Sequence, residues 1–378
     1  YQVLSIAWDT RTEKEGGQRW FHLYPNEHIK HDDELHSTGI NQNWNYMCAD
    51  CHSTNLQKNY DLARKEYNTT WSGIDVSCEA CHGPASNHLD WAKNNTTDIK
   101  NKGFSIVFDK SIYADGIGNS VTDDVKHNHS KKKNTEIEMC AKCHSRRSTN
   151  FPDSRPEHKL LNNYQPALLT EPLYHVDGQV NDEVFVYGSF LQSKMYHAGV
   201  TCSNCHQSHS LKLRYDGNEL CAQCHLPAKY DSSEHHLHEK KTEGAQCVNC
   251  HMPSKKFMVV DSRRDHSFRI PRPDLSEKLG VPNACNQCHI DKSIQWAAAK
   301  LEKTHTKPYK KHFAEALYAG RHSLSNAEQL LTELIEDNAQ PAIARATALT
   351  LLPSFLSRKS APLLQLAEND EPLLSLGL

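Results

Sequence analysis

Residues 202–225 read CSNCHQSHSLKLRYDGNELCAQCH, and this stretch contains the pentapeptide Cys-x-x-Cys-His twice. The whole chain contains seven copies, which together use all 14 of its cysteines. Each copy has the pattern of a covalent c-type haem site, in which two cysteines form thioether bonds and the histidine ligates the iron from the proximal side. We number the copies motifs 1 to 7 in chain order: Cys48–His52, Cys78–His82, Cys140–His144, Cys202–His206, Cys221–His225, Cys247–His251 and Cys285–His289.

The motifs predict seven haem c cofactors and a first set of ligands. The predicted thioether cysteines are Cys48, Cys51, Cys78, Cys81, Cys140, Cys143, Cys202, Cys205, Cys221, Cys224, Cys247, Cys250, Cys285 and Cys288. The predicted proximal iron ligands are His52, His82, His144, His206, His225, His251 and His289.

Zinc sites and disulfides also use paired cysteines. The cysteines of motifs 4 and 5 have the C-x2-C-x15-C-x2-C spacing that is typical of a tetrahedral zinc site. A zinc ribbon does not require a histidine directly after its second cysteine, yet a histidine follows in all seven copies. Structural disulfides carry no such requirement either. The repeated histidine therefore favours haem over both alternatives.

Composition and length predict the fold class. The hydrophobic fraction is 37% and the mean hydropathy is −0.72, which is poor for a chain of 378 residues that must bury a core of side chains alone. We expect haem to fill the core between motifs 1 and 7. The predicted fold is mainly α with much irregular structure, short helices and few small strands. Its predicted segments are a β-hairpin entry segment truncated at its start (1–35), a seven-haem cytochrome c domain (36–291) and an α-helical repeat domain incomplete at its end (292–378).

The repeat prediction comes from two similar stretches in the cysteine-free tail. IEDNAQPAIARA and LAENDEPLLSLG align with Pro341 on Pro372, a period of 372 − 341 = 31 residues. Each has a proline followed by an amphipathic run, so the proline is expected in the first turn of a helix. Together they predict a helical hairpin repeat of the HEAT kind.

A second axial ligand is needed at each iron, and histidine is abundant enough to supply it. Of 25 histidines, seven are proximal and three lie in the tail, which leaves fifteen for the distal positions. Full bis-histidine ligation is therefore the default expectation, with one of His235, His236 and His238 among the ligands and His238 preferred. The predicted distal ligands are His36, His88, His175, His197, His209, His238 and His266. The reserves are His22, His28, His31, His127, His129 and His158.

Arginines near the motifs are candidate partners of the haem propionates. A guanidinium group can pair with a haem propionate and raise the reduction potential, or it can simply be exposed to solvent. The candidates are Arg146, Arg147, Arg263, Arg264, Arg269 and Arg272.

Charge and hydropathy restrict the possible partners and location. A net charge of −3 and a pI of about 6.8 give no support for binding nucleic acid. No stretch approaches the roughly 18 apolar residues of a transmembrane helix. Covalent attachment of haem c takes place outside the cytoplasmic membrane, so the chain is predicted to be exported to the periplasm or the cell exterior. The basic run KHNHSKKK at 126–133 is predicted as a solvated loop, with a docking patch for an acidic partner as the alternative.

Longer strings around the motifs carry a resemblance to a known family. CEACHGPASNH, HAGVTCSNCHQSHSLKL, GAQCVNCHMP and RRDHSFRIPRPDLSEKLGVPNACNQCH resemble bacterial multihaem c-type cytochromes with tetratricopeptide or HEAT-like repeats after the haem domain. The haem domain is distantly similar to the superfamily of hydroxylamine oxidoreductase, ammonia-forming nitrite reductase and octahaem tetrathionate reductase. Ammonia-forming nitrite reductases use a Cys-x-x-Cys-Lys motif at their catalytic haem, whereas all seven motifs here end in histidine. The resemblance thus implies the architecture more strongly than the activity.

Three functions are open at this stage. The favoured one is electron transfer through a chain of seven mostly bis-histidine haems, with long-range or extracellular transfer as one form of it. Its partners would be redox proteins, with copies of itself as neighbours in an oligomer or filament. The alternative is a multihaem oxidoreductase that acts on nitrite, hydroxylamine or tetrathionate at one open or differently ligated haem. A scaffold with structural haems is the third. An electron carrier is favoured over an enzyme because the uniform histidine motifs lack the known catalytic variant, so no catalytic residue is predicted.

Overall fold

A computed structural model describes residues 1–94, 99–108, 135–152, 155–304, 309–358, 360–368 and 371–377. The basic run 126–133, with the reserve ligands His127 and His129, lies outside the described residues. Within the described part, no helix is long and apolar enough to cross a membrane.

Short helices dominate the regular structure. The α-helices are α1 (Cys78–His82), α2 (Ser86–Asn94), α3 (Thr135–Ala141), α4 (Leu160–Asn163), α5 (Tyr187–Phe190), α6 (Lys194–His197), α7 (Glu219–Ala222), α8 (Pro227–Tyr230), α9 (Ser233–His236), α10 (Cys247–His251), α11 (Pro273–Leu279), α12 (Cys285–Cys288), α13 (Ile294–Thr304), α14 (Ala314–Arg321), α15 (Ala327–Glu336) and α16 (Ala342–Leu351). Tighter 3₁₀ turns lie at Glu13–Glu15, Ile40–Gln42, Lys100–Gly103, Cys202–Asn204, Glu243–Ala245, Leu352–Phe355, Ala361–Glu368 and Leu374–Gly377, and a π-helical turn lies at Trp44–Cys48.

Small antiparallel hairpins make up the strands. They are β1 (Ile6–Asp9) with β2 (Arg19–His22), β3 (Tyr60–Asp61) with β4 (Glu66–Tyr67), β5 (Arg147–Thr149) with β6 (Tyr164–Pro166), β7 (His206–Gln207) with β8 (Lys212–Leu213), and β9 (Ser254–Phe257) with β10 (Asp261–Arg264). In the first hairpin, Trp8 pairs with Trp20 in the region where the sequence predicts a hairpin. The prediction of a mainly helical chain with much irregular structure and few small strands is confirmed.

The motifs themselves form single helical turns. The histidine N–H donates to the carbonyl oxygen of the first cysteine in motif 1 (3.0 Å), motif 3 (2.9 Å), motif 5 (3.0 Å) and motif 7 (2.9 Å). This is the i to i−4 bond of an α-helix, so the two cysteines and the histidine lie on one turn. Motif 4 differs, because Cys202–Asn204 is a 3₁₀ turn and His206 begins strand β7.

The hydrophobic core lies away from most of the motifs. It joins residues of 137–191, such as Leu160, Leu169 and Leu191, to Leu275 and to the helices α14–α16. Between Leu191 and Leu275, a stretch that the structure describes completely, Ala245 is the one buried hydrophobic residue. Motifs 4, 5 and 6 therefore lie in a segment that has almost no side-chain core of its own.

The cysteine-free tail packs as neighbouring helices. Helix α15 contacts both α14 and α16, and α16 begins directly after Pro341, whose φ is −57°. After Pro372 the chain forms the turn Leu374–Gly377, which packs against α16. Residues 369 and 370 of the second stretch lie outside the described part. The HEAT-like or tetratricopeptide-like repeat stays a prediction.

His312 lies among charged side chains and directly precedes the buried residues Phe313 and Ala314. Burial is the first cause that lowers the pKa of His312 to about 4, and the nearby charges are those of Arg269, Asp177, Arg272 and Asp274. Its Nδ1 accepts a hydrogen bond from the N–H of Ala314 (3.1 Å). His312 is therefore neutral in the folded chain at neutral pH.

Replacing His312 by glutamine is expected to flatten the pH dependence of stability. The folded-state pKa lies below the unfolded value, so the unfolded chain binds the proton more readily, and stability is lost as the pH falls from about 6.5 to about 4. The loss at this site amounts to about 3 kcal/mol at most. Denaturant unfolding of the parent and of His312→Gln at pH 4.5 and pH 7 measures the difference. Parallel pH profiles for the two proteins would contradict it.

Candidate haem-binding site

The cysteine side chains do not form the alternative sites that their spacing allows. All 14 cysteines are in described residues, and none of them forms a disulfide. Among the described residues, no three or more His, Cys, Asp or Glu side chains converge to hold a bare metal ion. The cysteines of motifs 4 and 5 thus do not assemble a tetrahedral zinc site in this structure.

Histidine pairs provide a direct test of whether the residues fit haem. An imidazole nitrogen lies about 2 Å from a metal that it ligates, so two imidazole rings on opposite sides of one iron have centres about 6 Å apart. Four proximal histidines have a second histidine at this spacing. The pairs and their ring-centre distances are His82 with His209 (6.1 Å), His206 with His266 (6.4 Å), His251 with His235 (6.1 Å) and His289 with His238 (5.9 Å).

The hydrogen bonds of the histidines orient their other ring nitrogen. Nδ1 of His266 lies 2.9 Å from the carbonyl oxygen of Arg264, Nδ1 of His251 lies 2.8 Å from that of Arg269, and Nδ1 of His238 contacts that of His236. A carbonyl oxygen can only accept, so Nδ1 carries the proton and Nε2 keeps its lone pair. This is the tautomer in which a histidine ligates a metal.

Partial desolvation also favours the neutral form of these rings. Desolvation is the first cause of a lowered pKa in motif histidines and in two of their partners, because the charged form loses its hydration. A neutral imidazole is the form that binds a metal. The groups with this shift are His82, His144, His206, His225, His235 and His266.

Local turns of the chain position the candidate distal histidines opposite the proximal histidines. His209 lies in the turn between β7 and β8, and His266 follows β10. His235 lies in α9, and Leu237 has a φ of 62°, which turns the chain so that His238 meets a different proximal histidine from His235. Ligation by each of these residues stays a prediction, but the spacing and the tautomers fit haem c.

His235 joins His238 as a candidate distal ligand. The sequence predicts one ligand among His235, His236 and His238, with His238 preferred, whereas the structure places His235 and His238 beside different motifs. The signal was the His-x-x-His spacing, because residues three apart can serve two neighbouring sites around a turn. His236 instead supplies Nδ1 as an acceptor for the N–H of His238 (3.2 Å).

The remaining predicted distal ligands show no such pairing. His88 and His197 have Nδ1 at 2.8 Å from the carbonyl oxygens of Lys102 and Ser193, which leaves Nε2 with its lone pair. Nδ1 of His36 accepts from the N–H of Thr38 (3.3 Å), so the proton lies on Nε2 and the ring has to turn to ligate an iron. His175 lines a pocket with Gln179, Arg263 and Arg264.

Most of the candidate arginines bind protein carboxylates. Their partners are Asp50 for Arg147 (2.8 Å), Glu183 and Asp261 for Arg263 (2.5 and 2.6 Å), Asp177 for Arg269 (3.3 Å) and Asp274 for Arg272 (2.7 Å). Arg264 donates to Oδ1 of Asn249 and to the carbonyl oxygen of Met252, each at 3.1 Å, beside motif 6. Arg146 is exposed. Pairing of Arg264 or Arg146 with a propionate stays a prediction.

Comparison with known proteins agrees with this geometry. Residues 35–165, which include motifs 1 to 3, match the NapC/NirT cytochrome c family, N-terminal region. Motifs 1 to 3 thus lie in a segment that is similar to a multihaem c-type cytochrome domain. The fold of the chain is similar to the crystal structure of the outer cell wall cytochrome OcwA, with a TM-score of 0.51 and 16% sequence identity over 100% of this chain and 81% of that chain. No curated protein sequence matches the chain.

Proposed function

We propose that the chain is an electron-transfer protein that holds seven closely spaced haem c groups. The observation that carries the proposal is the set of four histidine pairs with ring centres 5.9 to 6.4 Å apart. When bound, each haem supplies an iron that takes up and releases one electron. The four paired sets of histidines would supply two ligands to each of four irons, which would leave no position there for a substrate.

The protein residues set the conditions for transfer. Carbonyl oxygens that accept from Nδ1 hold each ring in a fixed orientation and raise its basicity as a ligand. For motifs 1, 3 and 5, we propose that the distal ligands come from His36, His88, His175 and His197. Few hydrophobic side chains are buried around motifs 4 to 6. We propose that porphyrin rings cover the apolar side chains there.

The spin state of the irons tests this function. We expect the oxidised holoprotein to contain seven haems by mass and to give a wholly low-spin spectrum. Nitrite, hydroxylamine and tetrathionate are expected to leave that spectrum unchanged. A high-spin haem whose spectrum shifts on adding one of the three compounds would instead support the oxidoreductase alternative.

We also propose export to the periplasm or the cell exterior. Covalent attachment of haem c outside the cytoplasmic membrane supports this location, as does the fold similarity to a protein described as an outer cell wall cytochrome. Redox proteins are the proposed partners, and the HEAT-like or tetratricopeptide-like tail is proposed to hold such a partner or a second copy. The distant kinship with the hydroxylamine oxidoreductase superfamily is part of the same proposal.

A further inference from the structure

Direct contacts connect motif 1 to motif 3. The thiol of Cys51 contacts the thiol of Cys143 and lies 3.8 Å from its carbonyl oxygen. Arg147, three residues after motif 3, reinforces this contact, because its guanidinium group pairs with Asp50 of motif 1 (2.8 Å) and donates to the carbonyl oxygen of Lys142 in motif 3 (2.6 Å). The ring of Tyr164 lies 3.6 Å from the same group.

Motif 3 in turn contacts motif 4. Helix α3, which contains Cys140, packs against the 3₁₀ turn Cys202–Asn204, which begins motif 4. Glu136 of α3 accepts from the N–H and the hydroxyl group of Ser203, at 2.6 and 2.9 Å. The carboxylate of Glu136 thus holds motif 4 beside motif 3.

The row continues through motifs 5, 6 and 7. Cys205 lies near the cysteines of motif 5. The Asn218 side chain, just before motif 5, donates to the carbonyl oxygen of Ala245 (2.9 Å), just before motif 6. The Asn218 side chain bridges motifs 5 and 6, because it accepts from the N–H of Cys247 (2.9 Å). His235 and His238, three residues apart, face the proximal histidines of motifs 6 and 7, and Cys250 lies near both cysteines of motif 7.

Motif 2 lies beside this row. Its Cys81 interacts with Cys140 of motif 3, and its His82 faces His209, which follows motif 4. Toward motif 1, the contact is a hydrogen bond from the N–H of Ser77 to the Thr54 hydroxyl group (2.9 Å), between residues that flank the two motifs. The direct contact between motifs 1 and 3 therefore bypasses motif 2.

We infer that the haem sites form a branched relay in which the main line runs 1–3–4–5–6–7 and motif 2 is a side branch where motifs 3 and 4 meet. The inference rests on the proposed electron-transfer function. A branched relay has three ends, at motifs 1, 2 and 7. Two electron donors can therefore share one acceptor, or two acceptors can share one donor. The order along the chain and the order in space differ only at motif 2.

Light-driven injection at motif 1 tests the branch. A ruthenium photosensitiser is attached to Gln57→Cys, an exposed position next to Lys58, whose Nζ donates to the carbonyl oxygen of Tyr46 (3.2 Å), in the turn that leads into motif 1. Each haem takes the number of its motif. His266→Met marks haem 4 with a distinct spectrum and a raised potential. Haem 2 is removed with Cys78→Ala/Cys81→Ala, and haem 3 is removed with Cys140→Ala/Cys143→Ala as the matched comparison. Mass spectrometry counts the haems in each variant.

Loss of haem 3 is expected to slow arrival at haem 4 by about a hundredfold or more, and loss of haem 2 by less than about threefold. The electron paramagnetic resonance signal of haem 1 is expected to change when haem 3 is removed and to persist when haem 2 is removed. A large slowing on loss of haem 2, with normal arrival in the undeleted protein, would overturn the branch but leave the relay. No arrival in the undeleted protein would overturn both.

A second variant covers the case in which removal of haem 2 prevents folding. His209→Ala keeps the covalent site of motif 2 but removes the partner of His82. Arrival at haem 4 within about threefold of the parent rate supports the branch, and a slowing of about a hundredfold overturns it.

Discussion

Without haem attachment, the full chain is expected to leave residues 192–274 unfolded while the core of 137–191, 275–281 and α14–α16 stays compact. The described residues between Leu191 and Leu275 bury Ala245 as their one hydrophobic side chain. In the same stretch Leu211 is 91% exposed and Leu226 is 66% exposed. Covering a leucine side chain contributes about 1.5 to 3 kcal/mol, and bound porphyrin would cover such side chains in this segment.

Limited proteolysis of the haem-free and haem-loaded chains measures this effect. Cleavage sites in the haem-free chain are expected to concentrate between 192 and 274 and to disappear in the holoprotein. The variant Cys221→Ala/Cys224→Ala is the matched control, because it removes one haem from the middle of the segment and is expected to restore cleavage locally. Equal protection of the segment with and without haem would show that side chains alone fold it.

Gly244→Ala is expected to displace His238 and to open the distal side of haem 7. A Cβ atom at Gly244 would overlap the His238 ring and lie 2.8 Å from its Nε2. The Nδ1 contact of that ring with the carbonyl oxygen of His236 restrains any movement. We therefore expect one haem to change from low spin to high spin, which electron paramagnetic resonance and visible spectra detect.

Gly73→Ala is the matched control for this substitution. A Cβ atom at Gly73 meets its nearest neighbour at an ordinary 3.6 Å, so the spectrum is expected to stay that of the parent. Adding His238→Ala to Gly244→Ala is expected to produce no second high-spin haem, because both changes act on the same ligand. An unchanged low-spin spectrum in Gly244→Ala would show that His238 is not the ligand at haem 7.

Part of the candidate site could be predicted because its chemistry is local. Five consecutive residues form one helical turn that holds both cysteines and the proximal histidine, so motif 2 is recognisable without any knowledge of the fold. That His235 and His238 face the proximal histidines of two different motifs could not be predicted in this way. It depends on the left-handed turn at Leu237, and nothing in the sequence of that loop marks the turn.

The sequence by itself determined the haem chemistry, the number of motifs and the short-helix character of the chain, because each follows from residue types and short spacings. Only the tertiary structure decided which histidines face one another and which motifs touch. His209 meets His82 across 209 − 82 = 127 residues of chain, and Cys51 meets Cys143 past an intervening motif. Such contacts depend on how distant segments pack, and no local spacing encodes them.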